Sequence, residues 1–173
     1  EVLSGSDTLD MRFVGCAPGG ENRIITAFRQ AQAVTGAHVP GLRVDVHCDI
    51  PTRAGLGSSG AATIAGLRLF EAVTRPLASD ELLAIARVIE GHPDNVAPSL
   101  RGGLILSFPR QRGGFEALRL PNPRGLGLTL LVPEIRVGTK EARALLPKSI
   151  PLQDAAANTA RALALLTILS QRR

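Results

Sequence analysis

The amino-acid sequence predicts an α+β domain, and three observations carry that prediction. At 173 residues and 45% hydrophobic content, the chain can bury one core of ordinary domain size. The segment "LRVDVHCDI", Leu42 to Ile50, alternates apolar and polar side chains with the two-residue period of a strand. Segments of helical period lie on both sides of it, mixed with further strand-like runs but in no strict alternation.

In chain order, a helix is expected over "ENRIITAFRQAQAVTG", Glu21 to Gly36. Ile24, Phe28, Ala31 and Val34 form one stripe, and Gly36 suits the left-handed residue that closes a helix. In the strand, Leu42, Val44, Val46, Cys48 and Ile50 point one way; Arg43, Asp45, His47 and Asp49 face water. His47 is therefore a solvated strand residue, and His38, in a turn before Pro40, has no assigned role. From about Ser59 to Thr74 small and apolar residues run nearly all round a helix, the pattern of a buried one. Ser79 suits the N-cap of the next helix, which carries Asp80 and Glu81 in its first turn and runs to about Glu90. "GGLILSFP", "EALRL" and "LGLTLLVP" read as three strands separated by the turn-rich "RQRGG" and "PNPRG". "TKEARALLP" reads as a short helix ended by Pro147, and a last helix begins near Leu152. There are no internal repeats and no low-complexity tracts.

The net charge is +5, and 18 of the 20 basic residues are Arg. Guanidinium binds phosphate and carboxylate well, which suits an anionic ligand, although most of these Arg are expected to be solvated surface. Nucleic acid is disfavoured, since Trp and Tyr are absent and the Arg are scattered. No apolar run approaches the ~20 residues of a membrane span; "ALALLTIL" is the longest of note. The acidic, polar start "EVLSGSDTLD" is no secretory signal, and it lacks Met. Cys16 and Cys48 have neither metal-site spacing nor a CxxC pattern. They read as small residues of a reducing compartment, with a disulfide between them left open. A cytoplasmic protein with no nucleic-acid or membrane partner is expected.

Three segments carry candidate chemistry. In "PTRAGLGSSGAA", Pro51 to Ala62, a Gly-rich turn joins strand to helix. Backbone N–H groups there can approach an anion, and the helix start supplies positive charge. The hydroxyls of Ser58 and Ser59 add phosphate donors or a magnesium ligand. No Lys follows, so the G-x-x-x-x-G-K-[ST] pattern is absent, and neither G-x-G-x-x-G nor the G-x-S-x-G elbow fits. The plain alternative is a tight turn with a Ser N-cap; five small residues, Gly57 to Ala61, exceed what that needs. In "EGHPDNVAPSLRGG", Glu90 to Gly103, Glu90, His92, Asp94 and Asn95 crowd into six positions. Carboxylates there could hold Mg²⁺ or a substrate ammonium, and the alternative is an Asx-type turn. In "PLQDAAANTARAL", Asn158 and Arg161 share a helix face among alanines. Arg161 could clamp a carboxylate bidentately or simply stand in solvent.

Taken together these segments resemble the GHMP kinases, and the homoserine kinase family most closely. "PTRAGLGSSGAA" is similar to the superfamily's ATP-phosphate loop, P-x-x-x-G-L-G-S-S-x-A. "EGHPDNVAPSLRGG" and "VPEIRVGTKEARALLPKSIPLQDAAANTARAL" resemble stretches of homoserine kinases. The family's N-terminal P-x-x-x-N-L-G-x-G-F-D motif and its C-terminal G-S-G-P-type loop are absent, so the chain resembles an interior piece of a longer enzyme. Arg53 also stands where small residues are common. The resemblance implies an incomplete two-layer α+β architecture: residues 1–90 an ATP-binding part with the left-handed β-α-β crossover of ribosomal-protein-type domains, and residues 91–173 a truncated, ferredoxin-like, substrate-binding part. It implies ATP-dependent phosphorylation of the L-homoserine hydroxyl, in threonine biosynthesis, with Mg²⁺. Pro51, Thr52, Arg53, Ala54, Gly55, Leu56, Gly57, Ser58, Ser59, Gly60 and Ala61 would bind nucleotide. Ser59 and Glu90 would ligate Mg²⁺. Asp94 and Asn95 would be catalytic, and His92, Asp94, Asn158 and Arg161 would bind substrate. A homodimer is compatible with this reading. The alternatives are another GHMP small-molecule kinase, or a fragment that binds nucleotide without catalysis.

Overall fold

The computed structural model describes residues 1–3, 8–15, 20–52, 54–111, 113–132, 142 and 144–171. A three-stranded sheet has the order β1-β3-β2, with β1 Val2–Leu3, β2 Leu9–Val14 and β3 Gly41–His47. β2 runs parallel to β3 in the register Leu9↔Leu42 to Val14↔His47, and β1 pairs antiparallel to β3. Helix α1, Arg23–Thr35, makes the crossover between the parallel strands. β1 and β2 lie in a stretch for which the sequence reading assigned no strand. Yet "LDMRFV" does alternate: Leu9, Met11 and Phe13 are half-buried, whereas Asp10 and Arg12 are exposed. Its partner is more than thirty positions away, so no hairpin signal marks it.

Asn22 caps α1, its Oδ1 accepting from the N–H groups of Ile24 at 3.1 Å and Ile25 at 3.3 Å. Gly36, at φ 65°, closes the helix as expected. Ile24, Ala27, Phe28 and Ala31 form the buried stripe; Val34, expected on it, is 62% exposed in the last turn. β3 ends at His47, not Ile50, but its alternation holds, with Leu42 buried and His47 exposed.

The core sits where α1, α2 (Ser58–Val73) and α3 (Ser79–Glu90) meet. Phe28 and Phe70 meet edge to face with centroids 5.8 Å apart, and Leu67 and Leu82 are almost fully buried beside them. Gly66 lets α1 and α2 touch: a Cβ there would lie 2.3 Å from the Ile24 carbonyl oxygen. α3 is not capped by Ser79. Ala78 holds the cap position, and its N–H donates to the Glu81 carboxylate at 2.8 Å. Ser79 is the first helical residue, and its hydroxyl accepts instead from Arg101 at 3.2 Å.

A six-residue helix, α4 (Val96–Arg101), follows, then the antiparallel hairpin of β4 (Leu104–Pro109) and β5 (Phe115–Leu120). Arg101 ties these parts together, donating to the Ala117 carbonyl at 2.7 Å and to Asp80 at 3.0 Å. Across the hairpin, the hydrogen bond from Arg110 holds the Glu116 carboxyl below the usual carboxylate range. The third expected strand is not formed over residues 126–132. Among the described residues no strand pairs with it, and Leu128 and Leu131 are 88% and 91% exposed. Of the helix expected over "TKEARALLP", Ala142 and Ala144 are helical and the chain is non-helical from Leu145; residues 139–141 and 143 lie outside the described residues, as does Cys16. Helix α5, Leu152–Gln171, begins where expected and has no buried residue. It is not long and apolar enough to cross a membrane, nor is any other described helix.

Candidate phosphate and acceptor site

Beyond β3 the chain turns through the Gly-rich loop into α2. Gly55 and Gly57 have φ of 72° and 75°, a left-handed backbone that disfavours any side chain. Gly57 occupies the N-cap position of α2, and no side chain caps that helix end. The Ser N-cap alternative is therefore overturned. Ser59 lies inside the first turn, with its hydroxyl 2.8 Å from both oxygens of the Glu90 carboxylate. The uncapped first turn leaves N–H groups of the helix start without an intrahelical acceptor, the arrangement that receives phosphate oxygens.

Glu90 is the last residue of α3 and its side chain is 7% exposed. Thr63, one turn along α2 from Ser59 and fully buried, donates to Glu90 Oε1 at 2.7 Å. Arg23, at the start of α1, places Nε 3.7 Å from that same oxygen. Three helices thus converge on one buried carboxylate, which the surrounding donors compensate. Gly91, at φ 78°, ends α3 and turns the chain back toward the loop.

Asn95 then lies directly over the glycines. A Cβ added at Gly57 would come 3.5 Å from Asn95 Oδ1, and one added at Gly60 would come 3.1 Å from the Asn95 backbone carbonyl carbon. The two motifs, far apart in sequence, form one site. Asp94 is 59% exposed and hydrogen-bonds through Oδ1 to Nδ1 of the half-buried His92. Val96 and Ala97, both fully buried, anchor the far end of the segment in the core. The segment is a turn leading into α4, whose N-cap residue Asn95 makes no side-chain capping bond.

The loop positions Leu56, Gly57, Ser58, Ser59 and Ala61 are half-buried, Gly60 is buried, and Pro51 and Gly55 are exposed; Thr52 and Ala54 flank the turn. Arg53 lies outside the described residues. Asn158 and Arg161 are exposed on α5. No hydrogen bond or ion pair among the described residues joins them to the loop or to the segment from Glu90 to Asn95. Thr63 and Arg23 were not among the expected site residues. Thr63 carried a signal, a polar residue four positions after Ser59 on the buried side of an otherwise apolar helix; Arg23 carried none.

Residues 22–103 match the model of the GHMP kinases N terminal domain, a span that holds both halves of this site. The chain is similar to homoserine kinases over nearly its whole length. A homoserine kinase of Prochlorococcus marinus (strain MIT 9303) is 41% identical over 98% of the chain and 51% of its own length. One from Corynebacterium efficiens is 34% identical over 88% of the chain and 52% of its own length. The crystal structure of homoserine kinase from Cytophaga hutchinsonii superposes with a TM-score of 0.74 at 27% identity, covering 96% of this chain and 56% of that one. The α+β class agrees with that neighbour. The chain spans about half the length of the curated relatives it matches.

Proposed function

We propose that this chain forms the nucleotide-binding part of an ATP-dependent kinase that phosphorylates the hydroxyl of L-homoserine to O-phospho-L-homoserine, a step of threonine biosynthesis. One observation supports it above others: the Gly-rich helix start, the buried Glu90 and Asn95 meet in one place. In this reading residues 1–90 hold ATP and residues 91–173 begin the acceptor-binding part.

The backbone N–H groups from Gly55 to Gly60 receive the phosphates, and Ser58 adds a hydroxyl donor. The donors present fit magnesium. Ser59 Oγ and the Glu90 carboxylate are hard oxygens that already touch, the sparse protein contribution this ion takes alongside phosphate oxygens and water. Ser59 and Glu90 would hold the ion, which when bound neutralises charge on the β- and γ-phosphates.

Transfer forms a bond from the acceptor hydroxyl oxygen to the γ-phosphorus and breaks the bond to the β,γ-bridging oxygen, releasing ADP. Asp94 takes the hydroxyl proton, held in place by His92, and Asn95 orients the group in transfer. Arg161 and Asn158 bind the acceptor carboxylate. Their separation from the loop in the described contacts favours one second reading, nucleotide binding without transfer by this chain alone.

The test is incubation of the chain with ATP, Mg²⁺ and, in turn, L-homoserine, mevalonate, galactose and shikimate, with coupled ADP detection and phosphorus NMR. ADP release that needs L-homoserine, with a new phosphate monoester, is expected. Calorimetric ATP binding without product selects the second reading, and turnover of another acceptor selects another GHMP kinase.

A further inference from the structure

We infer that Thr63 is a positioning residue for the cation-binding carboxylate: it turns Glu90 so that a single oxygen, Oε2, is left for a divalent ion. This rests on reading the Gly-rich loop as the nucleotide site.

The two oxygens of Glu90 are unequally occupied. Oε1 accepts from Thr63 at 2.7 Å, lies 2.8 Å from Ser59 Oγ and faces the Arg23 guanidinium at 3.7 Å. Among the described residues Oε2 meets Ser59 alone, at 2.8 Å. A divalent cation at Oε1 would displace a fully buried hydroxyl and sit against a fixed positive charge. At Oε2 it meets neither cost, and Ser59 lies within reach of the same ion. A hydroxyl on a neighbouring helix, donating to the other oxygen of a ligating carboxylate, is how outer partners fix a ligand's orientation.

Thr63→Val keeps the branched shape and removes only the donor. The experiment is calorimetric titration of the 173-residue chain with ADP, with and without Mg²⁺. The chain as it stands is expected to bind ADP more tightly with Mg²⁺. In the Val variant metal-free affinity is expected to stay unchanged while the Mg²⁺-dependent gain falls about ten-fold. Thr63→Ser is expected to restore the gain. A merely structural role for Thr63 would shift both affinities together. Thr63→Ala carries the same readout in less volume if valine does not fit. A folded Val or Ala variant that keeps the full Mg²⁺ gain overturns the inference and leaves the loop assignment standing. Absence of any ADP binding by the parent chain overturns both.

Discussion

In the proposed reaction Asp94 is the residue that takes the hydroxyl proton. It stands in solvent beside its His92 partner, next to Asn95 and the glycines that Asn95 covers. As a proton acceptor it should be needed in the transition state more than in the ground state. In whatever form of the enzyme turns over L-homoserine, Asp94→Asn is expected to lower kcat about 10²-fold or more with a smaller change in KM. A rise in KM at constant kcat would instead make Asp94 a ligand for the substrate ammonium. At this scale much of the site was legible. Ser59, Glu90 and Asn95 were chosen from residue type and crowding, and the structure brings all three together. Arg23 was illegible, because its role comes from the packing of α1 on α2 and α3, which no local pattern encodes.

Among the elements, α2 positions everything else. Its small residues serve two ends. At its start they let Asn95 approach the backbone, and in its middle Gly66 admits α1, so close that the Ile24 carbonyl would collide with any side chain. Gly66→Ala should gain helix propensity of about 1 kcal/mol and lose more to the forced separation of the helices. The expected net loss is about 1–3 kcal/mol in urea unfolding. An unchanged or higher midpoint would mean that the two helices are not in contact at this glycine. The sequence marks α2 as a buried helix, apolar nearly all round, whereas in the structure Ala65, Arg68 and Ala72 face solvent. Strands fared less evenly. β3, β4 and β5 followed from their alternation and turns. The run at 126–132 has the same period but pairs with no strand among the described residues, and strand period alone is not a strand. β2 is the converse, a short run with Asp and Arg in it that becomes a strand because β3 lies parallel beside it.

For the whole molecule, burial is uneven along the chain. Among the described residues the buried core runs from Ile24 to Val96 and Ala97, with Ala117 its last member, and α5 has partly buried residues but no fully buried one. The nucleotide end of the proposed site therefore rests on a packed scaffold, and the acceptor end, with Asn158 and Arg161, does not. That asymmetry matches a chain that spans about half the length of its relatives. It makes nucleotide contact, rather than turnover, the property this chain can be asked for directly. The amide resonances of Gly55, Gly57, Ser58, Ser59 and Gly60, followed by NMR while ADP and Mg²⁺ are added, give that answer. The expected result is that these amides and the side-chain amide of Asn95 move together along one binding curve, and that Gly57→Val abolishes the movement. Saturable shifts confined to another face, such as the arginines around Arg87, Arg101 and Arg110, with the loop amides unmoved, would contradict the account.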